Sequence, residues 1–252
     1  MFGRFLEISL ATPDIAASVQ FYERLGFVQL TTNDTWHHPY GVLSDGHVNL
    51  GLHQHVAGSA PTPAPAPGAP LLSFVHPDLA RHAARLMRAG FEPRQRHLGD
   101  EDFHRLELCD PGQQRIALLE ARTFSPAAPR PGAGQPESLC GWFSAYSMPA
   151  LGNRAVCAFW ERAGFVALET QEAPLAHLPL TGDGLSLALH ALRTLPVPAL
   201  VFTDPAMRVK LSALQAAGFA PATGLPAGLN PHENAVLEAP EGTRLLLLAA
   251  EP

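Results

Sequence analysis

Short runs in which apolar and polar residues alternate recur along the chain, and each predicts a β-strand with one buried face. The first of them, Phe5–Leu10, is followed by Thr12-Pro13-Asp14, which is typical of a helix start because it combines a capping residue with a proline. Beyond that point, Ile15, Val19 and Tyr22 have the spacing of one buried helix face. The pattern therefore predicts a strand followed by an amphipathic helix.

The predicted helix ends in a signature that occurs twice in the chain. Phe21–Val28 reads FYERLGFV and Phe159–Val166 reads FWERAGFV, while Leu86–Pro93 and Leu214–Pro221 form a second, similar pair. In all four segments a Gly-Phe pair follows an amphipathic run, where a helix commonly ends on a left-handed glycine. These glycines are Gly26, Gly90, Gly164 and Gly218. The chain therefore contains four copies of one unit, arranged as a tandem duplication.

Two proline-rich stretches divide the chain. Ser125–Ser138 predicts a linker, 123–138, between an N-terminal domain, 1–122, and a C-terminal domain, 139–252. The four units are 1–58, 70–122, 139–192 and 198–252. The other stretch, Pro61–Pro70, is predicted to be a surface loop that serves either as a spacer or as a cover over a cleft.

Charge and composition narrow the class of partner. The 252 residues carry a net charge of −6 and no basic run, which argues against nucleic acid. We find no apolar stretch of membrane-spanning length and no signal-peptide core at the N-terminus, so we expect no membrane association and a cytoplasmic protein. The three cysteines form no CxxC pair and indicate no disulfide framework. A small-molecule ligand is the partner that the composition favours.

The final strands of the first and third units are predicted to have one apolar and one polar face. The sequences are HVNLGLH and GLSLALH, in which every second residue is valine or leucine. The opposite faces carry Asn49, Gly51 and His53 in the first strand and Ser186, Ala188 and His190 in the second. One face therefore meets the helices, and the other is available for polar contacts.

The chain resembles the vicinal oxygen chelate superfamily in three features. These are the order of strand, helix and three strands, the opening TPDIAASVQFYERLGF, and final strands such as GQQRIALLEA. This superfamily is the group of glyoxalase I, extradiol dioxygenases and bleomycin resistance proteins. The resemblance implies an α+β fold of four βαβββ units, which form two tandem glyoxalase-like domains with mixed, strongly curved sheets. It specifies the fold better than the function, because the group includes both metal-dependent enzymes and metal-free binding proteins.

The resemblance also implies where metal ligands, His or Glu, would stand on the first and last strands of each unit. On the first strands of the first and third units, these positions are Glu7 and Ala145. On the first strands of the second and fourth units they are Leu71 and Ala199, or Pro70 and Pro198 if the alignment shifts by one residue. The last-strand positions are Gly51, Ala117, Ala188 and Leu246. These positions supply one carboxylate and no imidazole, whereas a catalytic zinc or iron site usually needs three protein ligands. Glu7 is the one weak candidate for a metal ligand, and no catalytic residue is assigned.

The first functional hypothesis is a metal-free protein that binds or sequesters a small molecule, as in the bleomycin resistance branch. Its ligand would be aromatic or cationic, and the duplication would form either a pseudo-dimer within one chain or part of a homodimer. The cleft residues implied by the resemblance are Phe5, Glu7, Ser9, Asn49, His53, Phe143, Ser147, Ser186 and His190. Glu7 is then either a cleft carboxylate or an ordinary solvated strand-end residue.

Two other classes of function stay open. One is a metal-dependent lyase, isomerase or dioxygenase that uses Glu7 with His53, His37 or His38 around Zn, Fe, Mn or Ni. The other is an interaction module in which Pro61–Pro70 serves as a polyproline recognition segment.

Overall fold

The computed structural model describes residues 2–32, 38–55, 70–98, 104–120, 138–182 and 184–251. His37, most of the predicted loop Pro61–Pro70 and the predicted linker 123–138 apart from Ser138 lie outside these ranges.

Domain 1 contains an eight-stranded sheet and two helices. Its elements are β1 (Arg4–Thr12), α1 (Ile15–Arg24), β2 (Val28–Leu30), β3 (Tyr40–Ser44), β4 (Asn49–Gln54), β5 (Leu71–His76), α2 (Leu79–Arg88), β6 (Gln95–His97), β7 (Arg105–Cys109) and β8 (Arg115–Glu120). Both units therefore have the predicted order of one strand, one helix and three strands.

Domain 2 contains a seven-stranded sheet and two helices. Its elements are β9 (Trp142–Met148), α3 (Arg154–Arg162), β10 (Val166–Ala167), β11 (His177–Gly182), β12 (Leu185–His190), β13 (Ala199–Thr203), α4 (Met207–Ala216), β14 (Ala235–Glu238) and β15 (Arg244–Leu248). In its second unit, two strands follow the helix. The segment before β14 instead contributes a backbone hydrogen bond from Ala222 N to Val236 O (2.7 Å).

The two units of each domain join at their first strands. The strand order is β2-β3-β4-β1-β5-β8-β7-β6 in domain 1 and β10-β11-β12-β9-β13-β15-β14 in domain 2. At each centre the two first strands are antiparallel, and each also pairs in parallel with the last strand of its own unit. The predicted α+β class is confirmed, and the units that combine are those adjacent in sequence.

The repeated glycines end the helices as predicted. Gly26, Gly90, Gly164 and Gly218 have φ of 95°, 81°, 102° and 83°. A side chain is strained at these angles, so glycine is the residue that allows the chain to turn directly into the next strand. At the other end of α1, Asp14 is the N-cap and accepts a hydrogen bond from Ala17 N (3.1 Å).

A β-bulge interrupts the first strand of each domain. In domain 1, Phe5 pairs with Phe74 and Glu7 with Ser73, so Leu6 is an extra residue without a counterpart on β5. In domain 2, Phe143 pairs with Phe202 while Ala145 pairs with Val201. An extra residue breaks the two-residue alternation of a strand. Residues two apart across the bulge therefore point to opposite faces.

The helices cover one face of each sheet, and the two domains share the apolar core on that side. Phe2 and Phe91 of domain 1 lie 6.0 and 5.2 Å from the ring of Phe159 in domain 2. Trp160 is fully buried in the same cluster, and its ring centroid lies 6.0 Å from that of Phe2. The aromatic residues of the repeated signature therefore stabilise the domain interface as well as the helix contacts.

Two matching hydrogen bonds cross the domain interface. The Tyr22 hydroxyl donates to Glu241 Oε1 (2.6 Å), and Trp160 Nε1 donates to Asp110 Oδ2 (3.0 Å). Tyr22 and Trp160 occupy the same position of the repeated signature, and both carboxylates lie in the turn of the last hairpin of the opposite domain. Burial, followed by the charge of Glu241, raises the pKa of Tyr22, so its phenol stays protonated and remains a donor.

No helix in the described ranges is long and apolar enough to cross a membrane.

Candidate functional site

The face of each sheet opposite the helices, here called the helix-free face, carries the functional candidates. In domain 1 it contains a row of four residues on adjacent strands, Glu7, Ser73, Ala117 and Glu107, which are register partners from β1 to β5, β8 and β7. Leu72 and Phe74 on β5 point the other way, into the core. The row therefore crosses the middle of the domain 1 sheet.

Glu7 is buried and hydrogen-bonded through both carboxylate oxygens. Its side chain is 2% exposed, which excludes the solvated interpretation. Oε1 accepts from Ser9 Oγ (2.7 Å) and Oε2 from the Tyr40 hydroxyl (2.5 Å). Ser9 Oγ also lies 2.8 Å from Ser73 Oγ, and because Ser9 gives its proton to Glu7, Ser73 is the donor in that contact. Two hydroxyl groups thus hold this carboxylate in one orientation, and the hydroxyl group of Ser73 holds Ser9.

His53 extends the network towards the edge of the sheet. Its Nε2 lies 3.4 Å from Glu7 Oε1, and its Nδ1 lies 3.0 Å from His38 Nε2. The Tyr40 ring packs against it, with centroids 4.6 Å apart. The described network therefore runs from His38 through His53 to Glu7, a chain of groups that can accept, hold or pass a proton.

Gly51 creates the space that Glu7 occupies. A Cβ atom at this position would lie 2.1 to 2.4 Å from all three atoms of the Glu7 carboxyl group. No real side chain tolerates such a distance, so the carboxylate orientation depends on the absence of a side chain on β4.

A second charged group lies at the other end of the row. Arg105 forms an ion pair with Glu107 Oε1, and Arg115 Nη2 contacts Glu107 Oε2 at 3.1 Å. The side chains of Arg105 and Glu107 are each 8% exposed. This end of the helix-free face therefore holds two guanidinium groups on one buried carboxylate.

The corresponding row of domain 2 is apolar. The same register relationship there connects Ala145, Val201, Leu246 and Val236. Val201, Leu246 and Val236 belong to a separate apolar cluster that also includes Leu175 and Leu195. Three residues of the segment before β14 pack against this cluster. Those three are Ala222, Leu225 and Leu229. The apolar row and this segment thus form a second small core on the helix-free face of domain 2.

His190, the counterpart of His53, lies at the edge of that face and is 2% exposed. Its Nδ1 lies 3.1 Å from Ala176 O, and its ring centroid lies 5.1 Å from that of His177. Burial, together with the neighbouring His177, lowers the pKa of His190 to about 4. His190 is therefore neutral at physiological pH.

The low pKa of His190 predicts a pH-dependent stability. Above about pH 6.5 the residue is neutral in both folded and unfolded chains; between about pH 6.5 and 4 only the unfolded chain binds the proton. We therefore expect stability to fall with decreasing pH, by up to about 1.4 kcal/mol per pH unit from this residue, and the effect to level off near the folded pKa. Urea unfolding of wild type and His190→Gln at several pH values measures it, and identical pH slopes would contradict it.

The structure brings together only some of the predicted cleft residues. Glu7, Ser9, Asn49 and His53 share the helix-free face of domain 1, and Ser147, Ser186 and His190 share that of domain 2. Phe5 and Phe143 instead lie on the core side, where they pack on Phe74 and Phe202. Their predicted placement in the cleft is wrong because the bulges reverse the alternation just before Glu7 and Ala145.

The first-strand positions of the second units lie one pair away from the row. Leu71 pairs with Ser9, and the residue opposite Glu7 is Ser73; in domain 2, Ala199 pairs with Ser147, and the residue opposite Ala145 is Val201. Sequence reasoning missed five polar residues of this face, namely Tyr40, Ser73, Arg105, Glu107 and Arg115. The available signal was a polar residue inside an apolar strand, as in LLSFVH and RLELC.

The donor groups around Glu7 do not form a three-ligand metal site. His53 uses opposite ring nitrogens for Glu7 and His38, so a cation between Glu7 and His53 Nε2 would lie on the far side of the ring from His38. Within the described ranges, no group of three His, Cys, Asp or Glu side chains is arranged to hold a metal ion. The described residues around Glu7 therefore do not fit the three-ligand metal centre that the superfamily implies.

Two open clefts lie in the groove between the domains and not at Glu7. One, of about 240 Å³, is lined by residues that include Tyr146, Glu241 and Arg244, and the other, of about 190 Å³, by residues that include Asp110 and Gln114. Both contain Pro70 and Pro198, which precede the equivalent strands β5 and β13. The clefts are therefore related by the duplication.

Solved structures of similar fold cover nearly the whole chain. A triple mutant of 4-hydroxymandelate synthase from Streptomyces coelicolor aligns with a TM-score of 0.60 and 17% identity, over 99% of this chain and 94% of that one. A catechol 2,3-dioxygenase aligns with a TM-score of 0.56 and 12% identity, over 96% and 86%. A variant of homoprotocatechuate 2,3-dioxygenase from B. fuscum gives 0.57 and 15%, over 99% and 72%. At these identities the likeness concerns the fold alone.

Sequence comparison matches the first domain to one family model. No curated protein sequence matches the chain. The model of the Glyoxalase/Bleomycin resistance protein/Dioxygenase superfamily matches residues 4–118, which are nearly all of domain 1, and the topology of domain 2 repeats that of domain 1. Domain 1 therefore matches the glyoxalase, bleomycin resistance protein and dioxygenase superfamily, and domain 2 repeats its topology.

Proposed function

We propose that the protein binds a small organic molecule on the helix-free face of domain 1, without a resident metal ion, and that domain 2 serves as its structural partner. One observation carries this proposal. The register row reads Glu7, Ser73, Ala117 and Glu107 in domain 1 but Ala145, Val201, Leu246 and Val236 in domain 2.

The difference between the two rows is informative because both rows are buried in sheets of the same fold. Domain 2 demonstrates that an apolar side-chain set is compatible with this sheet and closes it as a core. Buried charged and hydroxyl groups cost free energy unless they are satisfied, so an apolar face is the less costly solution for stability. A charged and hydroxyl-bearing row in domain 1, where domain 2 has an apolar row, therefore favours a role in recognition.

The Glu7 network supplies the recognition chemistry. A carboxylate held by Ser9 and Tyr40, with an imidazole 3.4 Å away, accepts hydrogen bonds from a hydroxyl, amine or amide group of a ligand. Because the Glu7 and His53 side chains are each 2% exposed, ligand entry requires the face to open locally.

We expect a Glu7→Ala, His53→Ala double variant to lose at least about tenfold in affinity for compounds that stabilise the wild type in a thermal-shift screen of small aromatic, cationic and anionic molecules. The matched control is Ser186→Ala, His190→Ala, which changes the equivalent positions of domain 2 and should retain wild-type affinity. Circular dichroism checks that both variants fold. Equal affinity of the Glu7 variant and the wild type would remove these residues from the site.

The 3.4 Å contact between Glu7 and His53 supplies two potential ligands for one alternative, a metal-dependent lyase, isomerase or dioxygenase of the same superfamily. Elemental mass spectrometry on protein purified without chelators separates the two functions. We expect no stoichiometric Zn, Fe, Mn or Ni. About one tightly held ion per chain that is lost in Glu7→Ala would contradict the metal-free proposal and support the enzyme.

A further inference from the structure

The charged group at the far end of the helix-free face has no part in the Glu7 network. Arg105 and Arg115 both contact the carboxylate of Glu107, so two positive charges meet one negative charge. The side chain of Arg115 is 26% exposed, whereas those of Arg105 and Glu107 are each 8% exposed. The buried group therefore carries one excess positive charge.

Within this charged group, Arg105 has a hydrogen-bond donor that is not used. Its Nε is buried without a hydrogen-bond partner, although Nη2 pairs with Glu107. Burial lowers the pKa of this guanidinium, an effect that the charge of Glu107 opposes and Arg115 reinforces. A buried N–H group without a hydrogen-bond partner is costly to maintain, and a planar guanidinium is well suited to bind a carboxylate.

The region between the two polar ends is apolar and buried. Five residues of the helix-free face form one cluster: Leu6, Leu71, Val75, Ala117 and Leu119. Glu7 and Glu107 are three strand spacings apart along the register row, which corresponds to roughly 14 Å between their Cα atoms. The face therefore has an acceptor at one end, an apolar middle and a cationic group at the other end.

We propose that Arg105 binds the anionic group of an elongated organic acid, whose apolar body lies over this cluster and whose hydroxyl or other donor group reaches Glu7. This inference rests on the proposed function and specifies its ligand as an anion, where the sequence predicted an aromatic or cationic molecule. Domain 2 is consistent with it, because strand β14 has Val236 where β7 has Glu107, and the preceding Asn234 bonds to Asn230 O (3.0 Å) within its own domain.

Three matched probes test the inference by isothermal titration calorimetry on the full chain. They are ω-hydroxydecanoate, its uncharged analogue decanediol, and decanoate, which lacks the hydroxyl group. We expect wild type to bind ω-hydroxydecanoate about tenfold or more tightly than decanediol, because a hydrogen bond to a charged group is worth about 1.5–3 kcal/mol. Decanoate should bind more weakly than ω-hydroxydecanoate.

The variant Arg105→Gln removes the charge but keeps a polar side chain, and it leaves Arg115 to pair with Glu107. It should abolish the preference for ω-hydroxydecanoate over decanediol while decanediol affinity stays within about twofold. Arg208→Gln, at an exposed position of domain 2, is the control and should keep the wild-type preference. An unchanged preference in Arg105→Gln, or no binding of either carboxylate to folded wild type, would overturn the inference.

The failure of this inference is distinguishable from failure of the proposed function. If Glu7→Ala, His53→Ala weakens a neutral or cationic compound while Arg105→Gln has no effect on any probe, the domain 1 site stands and its anionic end does not. If neither variant changes the affinity of any compound that binds wild type, both proposals are wrong.

Discussion

Replacing Phe159 by alanine is expected to lower the free energy of unfolding by about 3–5 kcal/mol, the usual cost of removing a buried phenylalanine side chain. Phe159 is 6% exposed. Its ring lies 6.0 Å from Phe2 and 5.2 Å from Phe91, both in domain 1, and 5.6 Å from Trp160 in its own helix. The cavity would therefore open in the shared core and not in one domain alone.

Urea unfolding followed by tryptophan fluorescence and by far-ultraviolet circular dichroism measures this loss. The control is Val209→Ala, at a helix position that is 69% exposed and should change stability by less than about 0.5 kcal/mol. Because Phe159 is remote from the Glu7 network, the folded variant should keep wild-type ligand affinity. An unchanged unfolding midpoint would contradict its assignment to the core.

Replacing Gly51 by alanine is expected to cost on the order of 3 kcal/mol, because the new Cβ would displace a buried, hydrogen-bonded carboxylate. The Glu7 oxygens would leave the hydroxyl groups of Ser9 and Tyr40, and the charge would have to find other partners inside the protein. Ligand affinity should fall with stability, since both depend on the same carboxylate orientation.

A double-mutant cycle identifies the cause. In a Glu7→Ala background the three atoms closest to the new Cβ are gone, so Gly51→Ala should then cost at least about 1 kcal/mol less than in wild type. Gly41→Ala is the matched control on the neighbouring strand, where the nearest atom, Gln29 Nε2, is 3.5 Å from the added Cβ. Additive effects of Gly51→Ala and Glu7→Ala would show that Gly51 is needed for another reason.

Much of the fold could be predicted because its signals are local. The Gly-Phe signature and the spacing of Ile15, Val19 and Tyr22 are properties of short segments, and the duplication repeats them at equivalent places. Alternation within β4 likewise placed Asn49 and His53 on one face. Such patterns require no knowledge of which strands become neighbours.

The missed parts of the site depend on non-local pairing. Ser73 lies opposite Glu7 only because β5 pairs with β1 across a bulge, and no feature of either strand alone sets that register. Arg105, Glu107 and Arg115 meet through the pairing of β7 with β8, so their sequence positions show the charges but not the shared carboxylate. The bulge also explains why Phe5 was assigned to the wrong face.

The matching contacts at the domain interface have a consequence for how such a chain evolves. In a symmetric homodimer every substitution appears on both sides of the axis at once, so a contact and its mate stay identical. Here the two matching hydrogen bonds differ: the phenol of Tyr22 donates to Glu241, and the indole of Trp160 donates to Asp110. Covalent fusion of the copies allows each half to drift independently, so one copy can specialise while the other keeps the assembly intact.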